Sequence, residues 1–282
     1  MKAHEIITNI ILKKLEEGVI PWQKPWNVQA GIPKNLITRK EYQGINVFLL
    51  ACQQYSSPWW LTFKQCKDLG GSIRKGAQGT PVIYWNWPET KEDGEKERKV
   101  PFMRYYTAFN VAQCEGIPKD KIPGTAETAN NDINTIARCE NIIEDWKDRP
   151  EITHGKRQAS YSPSSDCVNM PEMDAFRNSE EYYSTLFHEL THSTGHEKRL
   201  NRQGISETTP FGTPLYSKEE LVAEMGAAFL CGVAEIDCAT IDNSAAYIQG
   251  WLEKLRNDKR LVIIAAAQAQ KAAHYILNLP TS

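Results

Sequence analysis

Apolar and polar positions alternate with two different periods along the chain, and they mark out a series of helices and strands. "AHEIITNIILKKLEE" spaces its aliphatic residues at helical intervals among charges, and Gly18 and Pro21 stop it. An amphipathic helix over residues 3–17 is therefore expected. "EYQGINVFLLACQQY" predicts a buried helix, and "TFKQCKDLGG" a short one ending at Gly70. "TPVIYWNW" and "VPFMRYYTAFNV" are rich in β-branched and aromatic residues, which predicts two strands joined by the charged loop "PETKEDGEKERK". "GIPKDKIPGTAETANND" mixes Pro, Gly and small polar residues and has the character of a linker. Beyond it come a helix near "INTIARCENIIEDWKD", extended pieces at "ASYSPSSD" and "CVNMP", and helical patterns over 180–194, 218–233, 244–256 and 259–277. The expected fold class is α+β. A small α+β unit spans residues 1–116, a linker 117–131, and a mostly helical unit with a little sheet 132–282.

Charge sharpens that division. The chain has 282 residues and a net charge of −2. Residues 1–116 carry 16 Lys and Arg against 11 Asp and Glu, a net +5, whereas the remainder carries 17 against 24, a net −7. A basic front and an acidic back point to modules with different partners. The seven cysteines form no CxxC pair and no regular framework, which fits reduced thiols and a cytoplasmic setting. The longest apolar run, "LVIIAAA", is far short of the roughly 18 residues of a membrane span, so no membrane partner is expected.

The chemistry concentrates in "HELTHSTGH", residues 188–196. On an α-helix His188 and His192 fall on one face a turn apart, where two imidazoles can reach one ion. Tyr183, Leu186, Phe187 and Leu190 form an apolar stripe away from them, and Asn178 with Glu181 could cap the helix start. Glu189 then lies beside the ion, where a general base for a bound water belongs. A surface helix that merely carries two histidines is the competing reading. A catalytic zinc site needs a third protein ligand. His196 lies beyond Gly195, where the chain turns away, and a metzincin pattern fails because position 198 is Lys198. Gluzincin-type peptidases supply a glutamate from a second helix, followed four residues later by an acid that orients a histidine. "YSKEELVAEMGAAFL" resembles that arrangement, with Glu220 as third ligand and Glu224 as the acid facing a histidine N–H. Ala223 and Ala227 on that face would allow close helix approach, and Leu221, Met225 and Phe229 form the core-facing stripe. Ser217-x-x-Glu220 can alternatively be read as a capping box. One Zn²⁺ is the expected ion, another divalent metal the alternative. Tyr161, Tyr216 and His196 are the options for stabilising an oxyanion.

Six of the eight tryptophans lie in residues 1–116, interleaved with cations. Flat side chains that stack bases, beside cations that follow phosphates, are what single-stranded nucleic acid requires. The candidate contacts are Trp22, Lys24, Trp26, Arg39, Lys40, Trp59, Trp60, Lys64, Arg74 and Lys75. The alternative is that the tryptophans build a small core.

"PWQKPW", "EYQGINVFLL", "WLTFKQCKDLGGSIRKGAQG" and "TAFNVAQCEG" resemble the N-terminal domain of plasmid antirestriction proteins of the ArdC type, a domain that also fronts some conjugative primases. "YSPSSDCVNMP", "HELTHSTGH" and "EELVAEMGAAFL" are similar to the zincin-like metallopeptidase domain that follows it in that family. The resemblance implies a single-stranded-DNA-binding domain joined to a metallopeptidase fold, and a role in protecting incoming conjugative DNA from host restriction. Three functions are open, and in one of them the front half is a protein-binding module serving an ordinary peptidase. Another is a zinc peptidase that cuts a protein bound to DNA. The third is a non-proteolytic shield whose metal is structural.

Overall fold

The computed structural model describes residues 2–22, 31–86, 102–124, 134–206, 214–238 and 244–280. The chain opens with α1 (Ala3–Glu16), whose Ile7, Ile11, Leu12 and Leu15 are buried at helical spacing, and it leaves the helix through Gly18 at φ 75°. β1 (Lys34–Asn35), α2 (Ile45–Ala51), β2 (Trp59–Thr62), α3 (Phe63–Asp68) and β3 (Ser72–Ile73) follow, then β4 (Thr80–Asn86), β5 (Phe102–Asn110) and β6 (Cys114–Glu115). β1, β2, β5 and β4 form one sheet in that order, parallel between β1 and β2 and antiparallel elsewhere, while β3 and β6 pair separately. α1 and α2 pack on β4 of this sheet. The expected loop over 88–99 lies outside the described residues.

The back half begins with α4 (Thr135–Asp145). A three-stranded sheet of order β7-β9-β8 follows, built from β7 (Glu151–His154), β8 (Ser160–Ser162) and β9 (Cys167–Met170). Four of the remaining five helices carry the core: α5 (Ser179–Ser193), α7 (Pro214–Ala234), α8 (Ala245–Asn257) and α9 (Leu261–Ile276). α6 (Gln203–Ser206) is a single turn. α7 lies between α5 and α9 and is buried over most of its circumference, as the run Leu221–Cys231 shows. Small residues make that possible, since Ala265, Ala266, Ala269 and Ala273 of α9 are also buried. None of the described helices is long and apolar enough to cross a membrane.

The α+β reading of the sequence agrees with this architecture, and the long periodic helices fall within a few residues of expectation. The strands β1, β2, β3, β6 and β7 went unread because two to four residues carry too little alternation to register. α7 starts four residues earlier than periodicity indicates, so Ser217 lies inside the helix and cannot cap it. The front and back halves also share one hydrophobic core. Phe48 of α2 meets Phe229 of α7 with ring centroids 4.8 Å apart, and Trp22 packs edge-on against Trp251 of α8 at 5.9 Å. Thr8 Oγ1 donates to the Lys259 carbonyl at 2.6 Å, and the Gly44 amide donates to Gln270 Oε1. A smaller satellite core gathers Leu36, Leu61, Cys66 and Cys114. All seven cysteines are unbridged, and six of them are buried.

The shared core makes a definite prediction. Phe48→Ala should destabilise the protein by about 3–5 kcal/mol in a single denaturation transition seen alike by tryptophan fluorescence and circular dichroism. Two separated transitions, with only one displaced by the substitution, would contradict it.

Candidate metal centre

α5 owes its start to Asn178, whose Oδ1 accepts the Glu181 amide at 2.8 Å, while the Glu181 carboxylate accepts the Arg177 amide at 2.7 Å. Tyr183, Leu186, Phe187 and Leu190 bury the stripe expected of them. The opposite face presents His188 and His192, with rings edge to face at 4.7 Å and Nε2 atoms 3.1 Å apart. Glu220 of α7 completes the group. One of its carboxylate oxygens lies 3.7 Å from His188 Nε2 and the other 3.5 Å from His192 Nε2. A tetrahedral ion with N and O ligands at about 2.0–2.1 Å places its donors roughly 3.3–3.4 Å apart. The imidazole separation and the His192–Glu220 contact lie near that edge, and one ligand atom from each of His188, His192 and Glu220 falls within 4.8 Å of the others, so the three can share one ion.

The electrostatics favour a cation there. Burial, reinforced by His192, holds His188 well below the usual histidine range, which leaves it neutral with a lone pair to donate. Burial also pulls His192 down, but Glu219, Glu220 and Glu189 outweigh it and raise its pKa. Three carboxylates thus surround two imidazoles. Glu189 is only 9 % exposed. Burial pushes its pKa up and Glu220 adds to the shift, against the opposing pull of His192 and the Tyr161 amide. A carboxylate raised in this way is better matched to taking and returning a proton near neutral pH.

The acid beside a ligand histidine is Glu219, and the expectation for Glu224 is corrected. Glu219 Oε1 lies 3.4 Å from the buried Nδ1 of His192. Arg202 grips Glu219 from behind through Nε at 3.0 Å and Nη2 at 2.6 Å, and also donates to Thr194 Oγ1 at 2.7 Å and the Thr191 carbonyl at 2.8 Å. Glu224 faces the front half and α8 instead of the histidines. There it accepts from Trp22 Nε1 at 2.7 Å and from the Tyr247 hydroxyl, and burial pushes its pKa up to about 7. Glu219 and Glu224 are five residues apart and so differ by about 140° in direction around the helix, and only the partner helix decides which of them faces the histidine. The closest helix approach was also missed. A methyl group at Gly226 would lie 2.4 Å from Thr191 Cγ2, so glycine is needed where α7 crosses α5. Ala223 and Ala227, expected to play that part, are buried beside it.

The other candidates separate in the structure. Tyr161 donates its hydroxyl to Asp166 at 2.9 Å, and His196 accepts the Lys198 amide at 3.2 Å, outside the three-donor group. Tyr216 is raised to about 12 by burial and then by Glu220 beside it. Arg199 binds both oxygens of Asp166, at 2.7 and 3.0 Å, and the Ser193 carbonyl at 3.0 Å, which ties the turn before β9 to the end of α5.

The nucleic-acid candidates need correction at two tryptophans. Trp22 is 0 % exposed and Trp60 2 %, so both are core residues and neither can stack a base. A small aromatic-rich unit fills its interior with the bulkiest side chains available, which is the alternative weighed for them. Trp59 is half-buried, with the Arg39 guanidinium 5.1 Å above its ring and its own Nε1 donating to the Pro123 carbonyl. Arg39, Lys40, Lys64, Arg74 and Lys75 are exposed. Lys24 and Trp26 lie outside the described residues.

Two outcomes are expected of this geometry. Glu219→Gln should weaken binding of a divalent ion about 10–100-fold in a chelator-competition titration, while Glu224→Gln leaves it unchanged. The reverse ranking would restore Glu224 to the histidine. Burial raises the pKa of Asp166, but Arg199 and Tyr161 outweigh it and hold the carboxyl below the usual aspartate range. Its stabilising contribution is therefore complete above about pH 4 and is lost as pH falls through the folded value. Asp166→Asn, tolerated at that residue's φ of 48°, should flatten this acid limb in denaturation curves taken between about pH 2 and 6.

Comparison with known proteins places both halves. Residues 1–109 match the family model of the N-terminal domain of anti-restriction factor ArdC, and residues 137–268 match that of a zincin-like metallopeptidase. Two DNA primases TraC of Escherichia coli are 33% and 34% identical over 97% of this chain. The chain spans only 27% and 20% of their lengths. The uncharacterised protein y4eC of Sinorhizobium fredii is 31% identical over 97% of this chain and 91% of its own. The crystal structure of the antirestriction ArdC protein from plasmid R388, in a Mn(II)-bound form, superposes with a TM-score of 0.76 at 33% identity, covering 99% of this chain and 98% of that one. Its metal-free form gives 0.75. With both family matches in order and similarity extending over the whole length, the chain belongs to the ArdC antirestriction family and carries a zincin-like domain in its back half.

Proposed function

We propose that this chain is a single-stranded-DNA-binding antirestriction protein whose back half hydrolyses peptide bonds at a zinc site held by His188, His192 and Glu220. In this reading residues 1–116 engage DNA, 117–131 link, and 132–282 form the peptidase. The protein works in the cytoplasm to protect incoming conjugative DNA from host restriction. The observation that carries the peptidase reading is the convergence of His188, His192 and Glu220 within 4.8 Å of one another, with the Glu189 carboxylate on the helix that bears the two histidines. Such a site, when loaded, supplies a Lewis acid for the scissile carbonyl and a water of lowered pKa. Glu189 accepts that water's proton and returns it to the leaving amine.

β8 is an edge strand lying against α5, so an extended peptide can add to it and pass in front of Glu189. Of Tyr161, Tyr216 and His196, we take Tyr216, which hydrogen-bonds Glu220, as the donor for the developing oxyanion. Two imidazoles and a carboxylate suit zinc first. The Mn(II) in the R388 relative makes manganese the second ion to test. Nucleic-acid binding rests on the family of the front half and on its surplus of cations.

The test is proteolysis of an unstructured or DNA-bound protein by the full chain loaded with zinc or manganese, with and without single-stranded DNA. Cleavage that requires the DNA and falls to background in Glu189→Gln, with metal content unchanged, is the expected result. DNA binding without cleavage under either metal would transfer the protective role to DNA occupancy alone.

A further inference from the structure

At the far end of the β4–β5 ribbon the surface changes character. Trp85 pairs across the ribbon with Met103, which puts Tyr105 diagonally beside Trp85 on the same face. Trp85 is 55 % exposed, Tyr105 48 % and Phe102 41 %. β4 is also the edge strand of its sheet. Large rings left open on an edge strand are a liability that a protein retains for binding. A cleft of about 980 Å³ opens between this end of the ribbon and the first turns of α1 and α9. Lys2, Arg104 and Arg260 stand around it. All three are exposed, and none of them forms an ion pair among the described residues. No carboxylate lines the cleft among those residues either. The Arg104 guanidinium already lies 4.8 Å above the Phe102 ring, an aromatic–cation step of the kind a base can extend.

We infer that this cleft is where single-stranded nucleic acid lies, with bases stacked on Trp85 and Tyr105 of one ribbon face, Phe102 and Arg104 of the other face reached around the ribbon's end, and phosphates held by Lys2, Arg104 and Arg260. Charge complementarity selects a polyanion, and open ring faces select unpaired bases over duplex, whose bases are already stacked. The inference rests on the nucleic-acid half of the proposed function and gives it a location that the buried Trp22 and Trp60 cannot provide. It also makes the site composite. Arg260 belongs to the back half, so residues 1–116 alone hold only part of the surface.

The experiment is fluorescence anisotropy of a labelled oligothymidylate titrated with the full chain at several salt concentrations. Trp85→Ala and Tyr105→Ala are each expected to weaken binding about 5- to 150-fold. Arg104→Ala and Arg260→Ala should each flatten the slope of log affinity against log salt by about 0.7. Lys147→Ala and Lys271→Ala, exposed cations outside the cleft, should change little. Because exposed side chains are replaced, thermal midpoints should match the parent protein. If any variant does not fold, Trp85→Phe, which keeps a ring, should bind like the parent and still tests stacking. Should the parent bind and the cleft variants bind equally well, the location is wrong while the nucleic-acid reading stands. A parent protein that fails to bind, or that binds an acidic peptide and ignores the oligonucleotide, overturns both.

Discussion

Arg202 carries its guanidinium into the interior, where a charge persists only if its donors meet acceptors. Both oxygens of Glu219, the hydroxyl of Thr194 and the carbonyl of Thr191 receive them. These partners come from the end of α5 and from α7, so one side chain sets how the two helices stand against each other. The positive charge also lies at the negative end of the α5 dipole, where it is favourable. Removing one partner of such a buried pair costs about 3–5 kcal/mol, because the other charge is left uncompensated. With Glu219 fixed, Glu220 follows on the helix and must face the two imidazoles. The three side chains that could hold a metal are thus arranged by a charge pair that touches them only through His192.

A second constraint works from the other side of α7. Glu224 takes hydrogen bonds from Trp22 in the front half and from Tyr247 in α8, and Phe48 packs on Phe229 one helical turn further along. The helix that presents Glu220 is therefore held between the two halves of the chain. The opposite net charges of front and back favour the same association, and the Arg256–Glu16 ion pair at 2.7 Å joins the halves directly.

Helices α5, α8 and α9 and the pair β4–β5 were legible because each is long enough for its period to repeat. His188 and His192 were legible because a four-residue spacing on a helix has one geometric meaning, and Glu220 because a second helix with small residues on the same face followed. What the chain could not disclose were choices made by partners in space. Whether Glu219 or Glu224 faces His192 depends on the angle at which α7 crosses α5, and Arg202, in the unremarkable "LNRQG", has no local signature of burial. Trp22 and Trp60 combine the composition of a stacking surface with the position of a core. Trp85, alike in composition, is exposed only because it sits near the end of an edge strand.

The distribution of thiols gives the fold an internal clock. Cys66 and Cys114 lie in the satellite core, whereas Cys139, Cys231 and Cys238 lie in the main one, and all five are shielded from solvent. An alkylating reagent can reach each group only when its own core opens. The order in which the thiols become modified would then record whether the small core by β3 and β6 yields before the one that α7 holds together, without any probe being added to the molecule.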